Sequence, residues 1–213
     1  MSEVNGPLFD PGQDVVTDAK ALHTLAHPLR LRLLGLLRVY GPSTATKLAA
    51  SCGESSGLTS YHLRQLSAAG FVMDANPVDL AGLAQTGGRE RWWKAARRST
   101  FAAPPEPDDE AAAAVSGDYL RAVLAANAAA AGAWLSGEHR WSQPWRDAAN
   151  FSDIPLRLTL AEARRLDEQI AALLAQHRWH DPAQPPGSGD VPADAVIVRV
   201  QYQVFPDADQ DPS

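Results

Sequence analysis

The stretch from Ser43 to Gly70 constrains this chain more than any other, because it prescribes two short helices joined at a tight turn. In the first, Thr44 to Ser51, the residues Ala45, Leu48 and Ala49 recur at one-turn spacing and make one face apolar. Cys52-Gly53-Glu54-Ser55 stops that helix, with Gly53 as the left-handed residue beyond its end. Ser55 or Ser56 then caps a second helix by accepting from the free amides of its first turn. On that helix Thr59, His62, Leu63 and Leu66 share one side. Gly57, Ser60, Tyr61 and Arg64 share the other, a small, hydrogen-bonding and cationic face suited to a DNA major groove.

The surroundings extend this pattern. A first helix is expected from about Asp18 to Ala26, capped by Thr17, with Leu22 and Leu25 inward. Pro28 suits the first turn of the next helix, which runs to about Tyr40 with leucines at 29, 31, 33, 34, 36 and 37. Apolar nearly all round, it is expected to be the central buried element, leaving Arg30, Arg32 and Arg38 for solvent or phosphate. Phe71-Val72-Met73 and Arg89-Glu90-Arg91-Trp92-Trp93-Lys94 read as two strands of a hairpin, with Gly87-Gly88 supplying a tight turn.

Ser60-Tyr61-His62-Leu63-Arg64-Gln65-Leu66, followed by Ala68-Ala69-Gly70-Phe71-Val72, resembles the recognition helix and exit of ArsR-type winged-helix transcriptional regulators. Leu25-Ala26-His27-Pro28-Leu29-Arg30-Leu31-Arg32-Leu33-Leu34 is similar to that family's entry into its second helix, and the resemblance spans about Thr17 to Ala96. It implies a winged helix-turn-helix whose hairpin is the wing and whose following long helix makes a dimer. It also implies an inducer, bound elsewhere, that lowers DNA affinity. Residues 74–86 are longer than the family's wing needs. The family's thiolate metal-sensing motif is missing, since Cys52 is the only cysteine, so an effector is expected to be organic.

Charge divides the chain in the same way. Residues 18–100 hold eleven Lys/Arg against five Asp/Glu, a net +6; residues 101–213 hold eight against seventeen, a net −9. Only the first half is suited to phosphates, although the whole chain carries −6. The opening MSEVNGPLFDPGQD lacks the basic-then-apolar pattern of a signal peptide, and no apolar run approaches a membrane span, so a cytoplasmic protein is expected.

Beyond residue 101, Pro104, Pro105 and Pro107 mark a linker, and an alanine-rich helix is expected from about Asp108 to Ser136. Trp134, Trp141 and Trp145 cluster near its end. With Trp179 they either line an apolar effector pocket or plug the junction with the last module. Leu156-Arg157-Leu158 alternates like a short strand. Thr159-Leu160-Ala161-Glu162 is a capping box, and the helix after it is expected to bury Leu166, Ile170, Leu173 and Leu174. Ala195 to Phe205 is a strong β pattern, its sheet either within one chain or across a dimer.

The expected fold is therefore mainly α (α+β). A flexible arm (1–16) precedes a winged helix-turn-helix (17–101), and a dimerisation and possible effector region (102–213) ends in a strand–helix–strand module. No phosphate loop, nucleophile elbow, dinucleotide fingerprint or HExxH is present, so neither an enzyme nor a cofactor is expected. His177 and His180 have a spacing that allows a shared metal, but no third ligand is visible and no metal site is expected. The function expected is a sequence-specific DNA-binding regulator, a homodimeric repressor relieved by an organic effector. Ser60, Tyr61 and Arg64 are its main contacts to double-stranded DNA; Ser56, Gly57, Thr59 and Gln65 flank them, and Arg89 and Arg91 reach from the wing. The alternative is a winged-helix interaction scaffold that does not read DNA.

Overall fold

The leucines of one helix organise the amino-terminal half in the computed structural model, which describes residues 8–80 and 90–209. β1 (Asp14–Thr17) leads into α1 (Ala19–Leu25) and α2 (Pro28–Tyr40). β2 (Ser43–Thr44), α3 (Ala45–Cys52) and α4 (Ser56–Ala68) follow, then β3 (Val72–Asp74), β4 (Trp92–Ala95) and β5 (Ser99–Ala102). The rest is α5 (Glu110–Gly137), a 3-10 turn (Glu138–Arg140), α6 (Gln143–Asp147) and α7 (Leu160–Ala175).

Local chemistry sets the helix boundaries. Asp18, not Thr17, caps α1, its carboxylate accepting from the Ala21 amide at 2.9 Å. Thr17 is instead the last residue of β1. His27 caps α2 through Nδ1, with Pro28 in the first turn. Thr44 caps α3, and Gly53 ends it at φ 73°, the left-handed conformation expected there. Ser55 caps α4 by accepting from the Leu58 amide at 3.2 Å.

On α2, Leu33, Leu34 and Leu37 are fully enclosed. They pack with Leu22 and Leu25 of α1, Leu48 of α3, Leu63 and Leu66 of α4, and Phe71, Val72 and Trp93. The wing is a three-stranded antiparallel sheet of order β2-β4-β3, with Thr44 opposite Trp92 and Met73 opposite Lys94. The Gly87-Gly88 turn and Arg89 lie outside the described residues. Of the long wing segment, residues 76–79 form a turn in which Asn76 Oδ1 accepts from the Val78 and Asp79 amides. Asp79 ties this turn to the sheet by an ion pair with Lys94 at 2.8 Å.

Two regions depart from the sequence reading. Asp14–Val16, the end of the segment expected to be a flexible arm, is strand: β1 runs parallel to β5, pairing Asp14 with Ser99 and Thr17 with Ala102. The Asp14 side chain is wholly buried and pairs with Arg98, Nη2 to Oδ2 at 2.6 Å. That pair gives the segment a partner its own sequence did not display.

The second departure is the carboxy-terminal module. Neither Leu156–Leu158 nor Ala195–Phe205 is a strand, so the strand–helix–strand module does not form. A strand needs a neighbour for its backbone groups, and none of the described residues offers one here. Ile197, Val198, Val200 and Phe205 stay exposed, and where the segment passes α5 Gln201 donates to the Asn127 carbonyl at 3.4 Å. α7 forms with its Thr159–Glu162 capping box, but of the four residues expected to be buried Leu173 is exposed and Leu166, Ile170 and Leu174 are half-buried, and Ala171 is the buried residue.

α5 has 28 residues, about 42 Å of helix. Its first half joins the core through Val115, Tyr119 and Val123, packing on α1 and α2. Leu120, Leu124 and Leu135 are exposed.

Two stability effects follow. Arg98→Met leaves the Asp14 carboxylate buried without its cation. Urea unfolding is expected to show a loss of about 2–3 kcal/mol, below the usual ~3–5 for enclosed pairs because Arg98 keeps some solvent contact. Gly53→Ala meets no neighbouring atom, so only its left-handed backbone is penalised. The expected cost is about 1 kcal/mol, with Gly53→Asn milder, read from thermal midpoints.

Candidate nucleic-acid interface

The helix-turn-helix is held by contacts that consume most of the basic residues near it. Arg30 donates to the Thr24 carbonyl at the end of α1. Arg32 donates to the Ser51 carbonyl at 2.9 Å and the Cys52 carbonyl at 3.4 Å, closing the end of α3. Arg38 donates to Thr100 Oγ1 at 2.7 Å and to the Arg97 carbonyl, and burial lowers its pKa to about 10. These three arginines, expected to face solvent or phosphate, brace α1, α3 and the segment around β5; Arg32 does so from the exposed surface, whereas Arg38 is drawn away from solvent.

With α3 pinned at both ends, α4 is seated by its apolar side. Leu63 and Leu66 are 0% exposed, and so is Thr59. Thr59, expected to flank the DNA contacts, is thereby removed from them: it lies at the same helical phase as the core leucines, and its hydroxyl has no partner among the described residues. The opposite side is open. Ser56, Gly57, Tyr61, Arg64 and Gln65 are exposed, and Ser60 is half-buried. Among the described residues Arg64 makes no ion pair.

Ser60 and Arg64 line a groove of about 200 Å³ between α4 and the wing, with Thr44, Thr46, Glu90, Arg91 and Trp93. Arg91 is exposed but engaged. Its guanidinium lies 3.9 Å from the Trp93 ring centre and donates to Asp74 Oδ2 at 3.0 Å. That hydrogen bond holds the Asp74 carboxyl below its ordinary pKa. Arg89, the other wing candidate, lies outside the described residues. Trp93 is core, while Trp92 is half-buried beneath the Lys47 ammonium at 4.4 Å. Sequence reasoning missed Glu90, whose carboxylate shares the groove with Arg64 and accepts from Thr46 Oγ1 at 3.4 Å. Strict strand alternation assigns Glu90 and Arg91 to opposite faces, but β4 begins only at Trp92, so the rule does not apply to them.

The tryptophans do not come together as one group. Trp141 and Trp145 meet edge to face at 6.1 Å, and Trp134 lies against Phe151 at 5.6 Å. Trp179 is elsewhere, stacked on Arg98 at 3.8 Å. His180 is committed as well, its Nε2 lying 2.7 Å from the Val39 carbonyl. Among the described residues no cluster of three or more His, Cys, Asp or Glu is placed to hold a metal ion.

At the base of α4 the His62 ring packs 4.5 Å from that of His27, centre to centre. His62 is buried and its Nδ1 has no hydrogen-bond partner among the described residues. Burial, then the neighbouring His27 and Arg30, lowers the His62 pKa, and Glu54 opposes them weakly. Burial and Arg30 lower that of His27. Both groups hold their protons less tightly folded than unfolded, where the pKa is about 6.5. Their contribution is therefore complete above that value and declines as pH falls below it. Urea midpoints are expected to drop between pH 7 and pH 5, and to drop less in His62→Gln.

Comparison with known proteins agrees with this arrangement over part of the chain. No curated protein matches it. Residues 25–74, from the end of α1 to the end of β3, match the family model of a helix-turn-helix domain, a family found in ArsR-type regulators. That stretch is a helix-turn-helix domain, the kind of domain that points to a DNA-binding regulator.

Proposed function

We propose that this protein is a sequence-specific transcriptional regulator that reads double-stranded DNA with α4 and acts as a homodimer. One observation carries the reading. The side of α4 bearing Ser60, Tyr61 and Arg64 has no role in the core and opens beside the wing, within a region of net +6 charge. Each subunit places α4 in a major groove, and two half-sites lie about one helical turn apart. Ser56, Gly57 and Gln65 flank the central contacts, with Arg91 at the wing.

The dimer reading draws on the solvent side of α5, where Leu120 and Leu124, at its middle, sit one turn apart and exposed. Repression relieved by an organic ligand is the regulatory form we infer, since Cys52 is the chain's only thiol. Trp141 and Trp145 are the tryptophans best placed to share such a ligand; Trp179 has Arg98 as its partner.

The deciding experiment is selection of duplexes from a randomised library by the full-length protein, followed by anisotropy titration at two salt concentrations. Enrichment of a two-fold sequence bound tightly and salt-sensitively is expected. Weak binding, equal for selected and scrambled duplexes, leaves only the phosphate attraction and favours the interaction scaffold. Arg64→Ala is expected to cost about 1–3 kcal/mol and to relax specificity at one base pair. Uniform loss on every sequence marks Arg64 as a phosphate anchor instead.

A further inference from the structure

The side of α4 turned away from the core is not uniformly polar. Leu58 is 41% exposed and Tyr61 49% exposed, on a helix whose other leucines, Leu63 and Leu66, are fully enclosed. Leu58 is the third residue of α4, and its amide is held by the Ser55 cap, so its position in the first turn is defined. Helical geometry sets Leu58, Tyr61 and Arg64 about 60° apart in succession, a continuous band running from apolar to cationic. Arg64 lies at the wing groove, with Ser60 and Glu90. The first two turns of the flank beyond Tyr61 therefore carry the exposed Leu58, with Gln65 further along the same side, whereas the groove flank carries Ser60, Arg64 and Glu90.

An exposed leucine and tyrosine beside an arginine that makes no ion pair among the described residues have a specific counterpart in DNA. The apolar group that a base pair presents in the major groove is the thymine C5-methyl. We propose that Leu58 and Tyr61 form an apolar contact with a thymine methyl group, so that α4 specifies a thymine next to the base contacted by Arg64. This rests on the reading of α4 as the DNA-contacting helix. Charge favours DNA over a protein as the occupant: the region carries net +6, and the N-terminus of α4 attracts anions. Size favours it too. Two side chains expose far less than the ~800 Å² per partner of a specific protein–protein interface, but they are ample for one methyl group.

The test replaces thymine by uracil in the duplex selected by the full-length protein, one position at a time. Only the methyl group is lost, and the wild-type protein is used, so folding of a variant is not at issue. At one thymine per half-site, uracil is expected to weaken binding about three- to fourfold, the value of one buried methyl group. Leu58→Ala is expected to bind the thymine duplex more weakly and to lose the thymine–uracil difference at that position. Its thermal midpoint is expected to match wild type, because the side chain lies outside the core. Equal affinity for thymine and uracil at every position overturns the proposal. So does discrimination that survives in both Leu58→Ala and Tyr61→Ala. Absence of a thymine–uracil difference, with Leu58→Ala changing the sedimentation coefficient, assigns the patch to contact between copies. Failure of any duplex to be enriched overturns the DNA reading itself and is distinguishable from these results.

Discussion

Burial of Leu33, Leu34 and Leu37 is the interaction on which the other features of the amino-terminal half depend. Each fully buried leucine contributes about 1.5–3 kcal/mol, so three on one helix reach the order of a domain's entire net stability. They can be buried only if α1, α4, the wing and the first half of α5 all close over α2. That closure commits Thr59, His62, Leu63 and Leu66 to the inside of α4. The opposite face of the helix is thereby turned outward, with Arg64 at its centre and the wing along one edge. The candidate site is thus a consequence of how α2 is covered.

The basic residues divide by the same logic. Carbonyls at helix ends lack partners within the helix, and a guanidinium can serve two acceptors at once. Arg30 and Arg32 meet that need, Arg38 donates to the Arg97 carbonyl and Thr100 Oγ1 beside β5, Arg98 neutralises Asp14, and Lys94 anchors the wing turn. Arg64 makes no ion pair among the described residues. The net positive charge of the region therefore supplies a long-range field, while few of its cations are free for direct contacts.

The carboxy-terminal half is built differently. Trp179 stacks on Arg98, His180 contacts the Val39 carbonyl, and Pro182 lies beside Gly41, so the chain after α7 returns to the end of α2 behind the helix-turn-helix. Arg98 thus touches both Asp14 and Trp179, joining the amino-terminal strand to the last third of the chain. Between these anchors, the apolar residues of α5, α7 and the final segment remain largely open.

Where interactions are local, the sequence was legible. The turn at Gly53, the serine cap of α4, the Thr159–Glu162 capping box and the leucine-rich α2 each depend on residues within a turn or two of one another. So did the sorting of α4 into two faces, because helical periodicity needs no distant partner. Periodicity also sets Thr59 at the phase of Leu63 and Leu66, and the structure buries it with them. Long-range pairing was not legible. Nothing near Asp14 announced a parallel partner at Ser99, and nothing near Arg38 announced Thr100. The alternation from Val198 to Val204 predicts a strand, but no neighbour among the described residues pairs with it. The sequence by itself determined the five longer helices α2, α3, α4, α5 and α7, the caps of α3, α4 and α7 and the polarity of α4, since backbone hydrogen bonds within a helix close over four residues. Tertiary structure alone decided which strands pair, which arginines remain free and which tryptophans meet, because those contacts join residues far apart in the chain.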